Sequence, residues 1–168
     1  MVCKEMLLKS FAKINLSLKV KKKLKKEKLF DIESYFCLIN IFDDIKVKKT
    51  NARKDIVKFE GKFATSVQKK NNSITNTLQI LRKKKIISNF YSVSVNKKIP
   101  VFAGMGGGTS NAACLINYLS RNQINKNLLD TISKKIGSDL ILFFYKQGIL
   151  KNLKKIIKVK KRHKINFL

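Results

Sequence analysis

The chain has 168 residues and is 44% hydrophobic, which suits one domain with a real core. Its 38 Lys and Arg against 10 Asp and Glu leave a formal net charge of +28, and no apolar run approaches the roughly 18 residues of a membrane-spanning helix. Cys3, Cys37, Cys114 and the lone His163 show no metal-ligand or disulfide spacing, so a zinc centre and a disulfide scaffold are excluded and a reducing cytoplasm is the expected setting.

The N-terminus, MVCKEMLLKSF, lacks the apolar centre of a signal peptide. Residues 7–20 then alternate as a strand. Ala12, Ile14, Leu16, Leu18 and Val20 fall on one face, and Lys13, Asn15, Ser17 and Lys19 on the other. By pattern alone, Lys13 and Asn15 are ordinary solvent-facing residues. Residues 21–29 read as a basic turn. Tyr35 to Ile41 is a continuous apolar run, consistent with a buried strand. Phe42-Asp43-Asp44 reads as a turn with structural carboxylates, and 45–49 and 56–63 as two short strands. Asn71-Asn72-Ser73 can cap a helix to about Lys84, with Ile74, Leu78 and Leu81 on one face.

The stretch from Pro100 to Ala113, PVFAGMGGGTSNAA, organises the chain. Four of its seven glycines and its only proline lie within these fourteen residues. A strand pattern (91–99) precedes it, and Ala112, Ala113, Leu115, Ile116 and Leu119 follow at helical spacing. Thr109 and Ser110 stand where the helix N-cap is expected. A strand, a glycine loop and a helix N-terminus together form an anion site. Glycine backbone comes close to a ligand, and free amides carry partial positive charge. The Thr109 and Ser110 hydroxyls can donate to a phosphate or sit near its Mg²⁺. No Gly-Lys-Ser/Thr follows, so the loop is not a Walker A motif.

A third helix is predicted over 127–136, ended by Gly137. Asp139 follows, a lone acid before the apolar run 140–144. A structural cap accounts for it as well as chemistry does. From Gly148 the chain reads as a basic hairpin.

Three of these stretches resemble one family. Pro100-x-x-x-Gly-x-Gly-Gly-Gly-Thr-Ser-Asn-Ala-Ala113 is similar to the phosphate-binding motif of the GHMP small-molecule kinases. Ser10-x-Ala-Lys-Ile-Asn-Leu16 resembles an N-terminal strand motif of those kinases, and Gly137-Ser-Asp-x-x-x-Phe143 their second catalytic motif. Within the family the triple glycine most resembles the kinases that phosphorylate the 2-hydroxyl of 4-diphosphocytidyl-2-C-methyl-D-erythritol, a step of non-mevalonate isoprenoid synthesis. The resemblance departs at Phe11 and Ile141, where Pro is usual, and at Leu29 to Ser34, where a Tyr-His element is usual.

The resemblance implies an α+β fold: the GHMP-kinase N-terminal domain, a ribosomal-protein-like two-layer arrangement with helices packed on a mixed sheet and a left-handed βαβ unit. It implies an ATP-binding domain over 1–150, with 151–168 a basic tail or the start of a C-terminal domain. Pro100, Val101, Phe102, Ala103, Gly104, Met105, Gly106, Gly107, Gly108, Thr109 and Ser110 would hold ATP, with Mg²⁺ arriving on the nucleotide. Lys13 and Asp139 would be the catalytic pair, Asn15 would position substrate, and Asn72 would flank the nucleotide. Phe30 would stack on a pyrimidine.

Partners follow from the same reading. They are a small-molecule alcohol, a second copy or separately supplied C-terminal domain, and no membrane. The charge leaves a second function open. Lys far outnumbers Arg, which stands only at 53, 82, 121 and 162, and Ile and Asn are abundant. That pattern fits A/T-rich codon usage better than a dedicated nucleic-acid reader, which favours Arg. Non-specific RNA binding follows from the charge itself. The rival to a working kinase is a degenerate kinase fold that binds nucleotide or RNA without catalysis.

Overall fold

The computed structural model describes residues 4–23, 30–151 and 155–159. The basic turn at 24–29, the tail from 160 with His163, Cys3 and the side chain of Phe30 lie outside the described residues. The fold is α+β, as expected. One mixed six-stranded sheet carries its helices packed on one core.

Two long strands, β1 (Met6–Lys23) and β2 (Phe30–Thr50), pair antiparallel along most of their length. β1 occupies one edge of β2. The other edge is shared end to end by two short strands. Residues 44–50 of β2 pair with β4 (Phe90–Asn96), and residues 33–37 pair with β5 (Gln147–Lys151), both antiparallel. β6 (Lys155–Lys158) closes the hairpin with β5. β3 (Ile56–Glu60) lies parallel to β4, and α1 (Ser73–Lys83) makes the crossover between them. Then come α2 (Gly107–Leu119), α3 (Lys126–Ile136) and a 3₁₀ segment, Ser138–Phe144.

The core is built as the periodicities require. Ile45, Val47, Val93 and Val95 of the sheet meet Ile74, Leu78 and Leu81 of α1, Ala112, Leu115 and Ile116 of α2, and Leu129 and Ile132 of α3. A satellite cluster of Phe36, Leu142 and Leu150 seats the 3₁₀ segment against the first half of β2. Asn72 caps α1, its Oδ1 accepting from Thr75 N at 2.9 Å. Asn125 caps α3 in the same way at 2.9 Å.

Three expectations change. The predicted turn at Phe42-Asp43-Asp44 is continuous strand, and 45–49 is the far end of β2. The strand can carry an acid there because Asp43 points into the fold, where backbone amides and a lysine satisfy it. The apparent break survives only as a register irregularity opposite Phe11 and Lys13. The apolar stripe of β1 is also not one buried face. A second irregularity between Asn15 and Ser17 leaves Leu16, Leu18 and Val20 at 37%, 52% and 57% exposure. Finally, β3 stops at Glu60, followed by a short 3₁₀ turn, Ala64–Ser66.

Cys37 and Cys114 are free thiols. Burial in α2 pushes the Cys114 thiol up to about 11, and it donates to the Lys9 carbonyl at 3.7 Å. At pH 8 only about a thousandth of it is thiolate, the reactive form. Iodoacetamide is therefore expected to alkylate Cys114 at least about 100-fold more slowly than an unstructured cysteine peptide. Equal rates, read by mass spectrometry, would mean that α2 lifts readily off β1.

Candidate active site

The glycine stretch forms a loop from Pro100 to Gly106 and then the first turn of α2. Gly104 and Gly106 have φ of +71° and +67°, a region that side chains disfavour. Phe102 shares that conformation at φ +65° and is 96% exposed, so an aromatic ring stands out at the loop's tip. At Gly106 space adds a second demand. A Cβ there would lie 2.5 Å from the Phe143 ring, whereas at Gly104 nothing lies within 4 Å. Gly106→Ala is thus expected to lose about 1–2 kcal/mol through backbone strain alone, plus the clash. Gly104→Ala should lose only the strain. Urea unfolding of both variants checks this, and equal losses would mean that Phe143 moves aside freely.

The helix cap differs from expectation. Gly106, not Thr109 or Ser110, is the N-cap, and no side chain caps α2. The first helical bond is Ser110 N to Gly106 O at 2.8 Å. The amides of Gly107, Gly108 and Thr109 therefore have no carbonyl of their own helix to bond. Glycines in the first helical positions shift the start earlier than a Ser/Thr cap rule places it.

Gly107, Gly108 and Thr109 line a cleft of about 520 Å³. Its opposite wall is the start of α1, with Asn71, Asn72 and Ser73. A Cβ at Gly108 would come within 3.5 Å of Ser73 Oγ, so the N-termini of α1 and α2 converge. Two helix dipoles thus present their positive ends to one space, which favours a polyanion. Phe59, Val67, Pro100, Val101 and Ile136 supply apolar lining. Asn72 borders the cleft, but its carboxamide is engaged in the cap and in bonds to Gln68 O and Lys69 O, both 3.2 Å.

Two residues here carry signals that sequence reading missed. Lys97 is 3% exposed and pairs with the fully buried Asp43. It also lines the cleft, and a Cβ on Gly107 would sit 3.2 Å from its Nζ. A buried ammonium beside a helix N-terminus is electrostatically favourable only with an anion at hand. In the sequence it reads as one more lysine among many. Asn111 is fully buried, borders the same cleft, and among the described residues neither polar atom of its side chain has a partner.

The sequence-predicted catalytic pair comes together. Lys13 Nζ lies 3.1 Å from Asp139 Oδ2, across 126 residues of chain. Lys13 is 3% exposed and Asp139 39%, so the carboxylate is the face open to solvent. Lys13 is thus not a solvent-facing strand residue. The register break beside it turns it to the helix side of the sheet. Asn15 joins the cluster, its Oδ1 accepting from Lys13 Nζ at 3.2 Å; Ser34 Oγ lies 3.1 Å from the same oxygen and 2.9 Å from Ser17 O, with one proton to share between them. Ser34, 2% exposed, is a further member that the sequence did not single out.

The pair and the cleft lie on two sides of the glycine loop. Lys13 and Asp139 do not line the cleft, and the loop's Met105 carbonyl accepts from Lys13 N at 3.0 Å. The regions meet at Thr109, whose Oγ1 would be 3.2 Å from a Cβ on Gly137, two residues before Asp139. Thr109 therefore remains a candidate phosphate donor. Ser110 does not. It is 3% exposed and donates to Phe11 O at 2.6 Å, away from the cleft.

Comparison with known proteins bears on the chain as a whole. The family model described as "GHMP kinases N terminal domain" matches residues 72–147. Over 139 residues the chain is 42% identical to the 4-diphosphocytidyl-2-C-methyl-D-erythritol kinase of Pelagibacter ubique, covering 80% of this chain and 48% of that protein. It is 36% identical to the corresponding kinase of Ureaplasma parvum over 141 residues, 82% of this chain and 52% of the relative. The chain thus spans about half the length of the curated relatives it matches. Among solved structures, a 4-(cytidine 5'-diphospho)-2C-methyl-D-erythritol kinase superposes with a TM-score of 0.69 at 18% identity, covering 92% of this chain and 55% of that one. A homoserine kinase from Cytophaga hutchinsonii superposes with 0.65 at 12% identity, covering 95% and 53%. At these identities the structural matches speak for the fold.

Proposed function

From the premise that this chain carries the N-terminal domain of the GHMP kinases, we propose that it belongs to an enzyme transferring the γ-phosphoryl group of ATP to an alcohol. The acceptor is the 2-hydroxyl of 4-diphosphocytidyl-2-C-methyl-D-erythritol, the substrate named by the relatives. The observation that carries the reading is the Lys13–Asp139 pair at 3.1 Å, held against a loop whose helix amides are uncapped.

Phosphoryl transfer depends on positioning and on stabilising charge. The amides of Gly107, Gly108 and Thr109 and the two helix N-termini hold the nucleotide's phosphates. Asp139 accepts the proton of the acceptor hydroxyl. The hydroxyl oxygen bonds to the γ-phosphorus as the bond to the bridging oxygen breaks, and ADP leaves. Lys13 orients Asp139 and brings a cation to the transferring group. Asn15, bonded to Lys13 Nζ, positions the acceptor. Mg²⁺ would travel on the phosphates and take a protein oxygen from Thr109, neutralising charge there.

The test is transfer from Mg-ATP to that acceptor by the purified chain. Turnover supports the reading. No turnover, with ATP still raising Tm, would leave a nucleotide-binding domain that needs further protein to act. The net charge of +28 favours a second reading, polyanion binding without catalysis. RNA affinity falling steeply with salt, with no effect of ATP on Tm, would select it.

A further inference from the structure

β1 pairs regularly with β2 up to Phe11, the register breaks at Ala12, and pairing resumes with Lys13 opposite Leu38. At this break helix α2 adds a second tie to β1, through two buried hydroxyls. Ser110 Oγ donates to Phe11 O at 2.6 Å, and Ser10 Oγ donates to Ser110 Oγ at 2.8 Å. Ser10 is 1% exposed and Ser110 3%, in a region sealed by Ala12 at 0%. Each hydroxyl has one proton, so the order is fixed: Ser10 to Ser110 to the Phe11 carbonyl.

We infer that Ser10 and Ser110 are positioning residues, a strut between α2 and β1 that holds Lys13 at a set distance from the phosphate-binding turn. Ser110 is the fourth residue of the helix whose first three residues line the cleft. Phe11 is two residues from Lys13. Movement of the glycine turn is thus passed to the Lys13–Asp139 pair by two routes, the Ser110 hydroxyl on Phe11 O and the direct Lys13 N to Met105 O bond. The kinetic consequence rests on the kinase reading, whereas the structural one does not.

The proton order predicts an asymmetry. Ser110→Ala removes both bonds, and Ser10→Ala removes only the outer one. Hydrogen exchange of the Lys13 amide reads this without turnover. Exchange is expected to rise about tenfold in Ser110→Ala and less in Ser10→Ala. The double variant should match Ser110→Ala instead of adding to it. The Val95 amide, in the core of β4, serves as the internal reference. In the kinase assay the same variants are expected to lower kcat about tenfold, as misplacement of a catalytic group does, with the KM for ATP changed less than about twofold. Additive effects, or a rise at Val95 equal to that at Lys13, would overturn the strut and reduce both serines to general packing. Absence of transfer by the unmodified chain would count against the kinase reading alone, and the exchange result would still decide the strut. Ser10→Ala, the milder change, decides it if Ser110→Ala does not fold.

Discussion

Asp139→Asn is expected to lower phosphoryl transfer by about a thousandfold, within the range of a lost general base, while ATP still raises Tm. The substitution keeps size and shape but removes the proton acceptor and the anion facing Lys13. Asp139 lies at the start of the 3₁₀ segment and is 39% exposed, so water can reach the orphaned ammonium and the fold should persist. The cleft proposed for the nucleotide does not include Asp139, so the ATP-induced Tm shift should match that of the unmodified chain within error. Residual transfer within about tenfold would place the base elsewhere, since no positioned carboxylate contributes so little.

Lys97→Met should have the largest effect on stability. Asp43 is fully buried. Its Oδ1 accepts from Lys98 N at 2.7 Å and Ile99 N at 2.8 Å, and its Oδ2 is met only by Lys97. Removing the ammonium strands a charge, at a cost of about 3–5 kcal/mol, against total stabilities of about 5–15 kcal/mol. Asp43→Asn added to Lys97→Met should recover part of that loss, because the amide needs no counter-charge. Lys98→Met gives the contrast. Its pair with Asp44 is 48% and 22% exposed and should contribute about 0–1 kcal/mol. Urea midpoints measure all three. A loss below about 1 kcal/mol for Lys97→Met would mean that solvent reaches Asp43 in the native state.

Lys97 also shows why part of the site stays hidden in the sequence. In a chain with 38 Lys and Arg, no pattern separates the one lysine beneath the glycine turn from those on the surface. Its burial follows from Asp43, 54 residues away, and Asp43 itself reads as a turn acid. Ser110 is the converse case. A hydroxyl after a glycine run suggests a phosphate contact, yet packing against β1 turns it to a carbonyl 99 residues distant.

The sequence by itself determined the glycine turn, the three helices, the Asn72 cap, the α+β class, and the candidate roles of Lys13, Asn15 and Asp139. These follow from features carried by neighbouring residues: glycine's freedom, side-chain caps, and periods of two or 3.6. The tertiary structure decided the rest. It joined two predicted strands into β2, drew two helix N-termini onto one cleft, brought Lys13 to Asp139, and aimed Ser110 away from that cleft. Each of these depends on where a polar or charged group, removed from water, finds its partner. That partner lies far along the chain, where no local spacing can announce it.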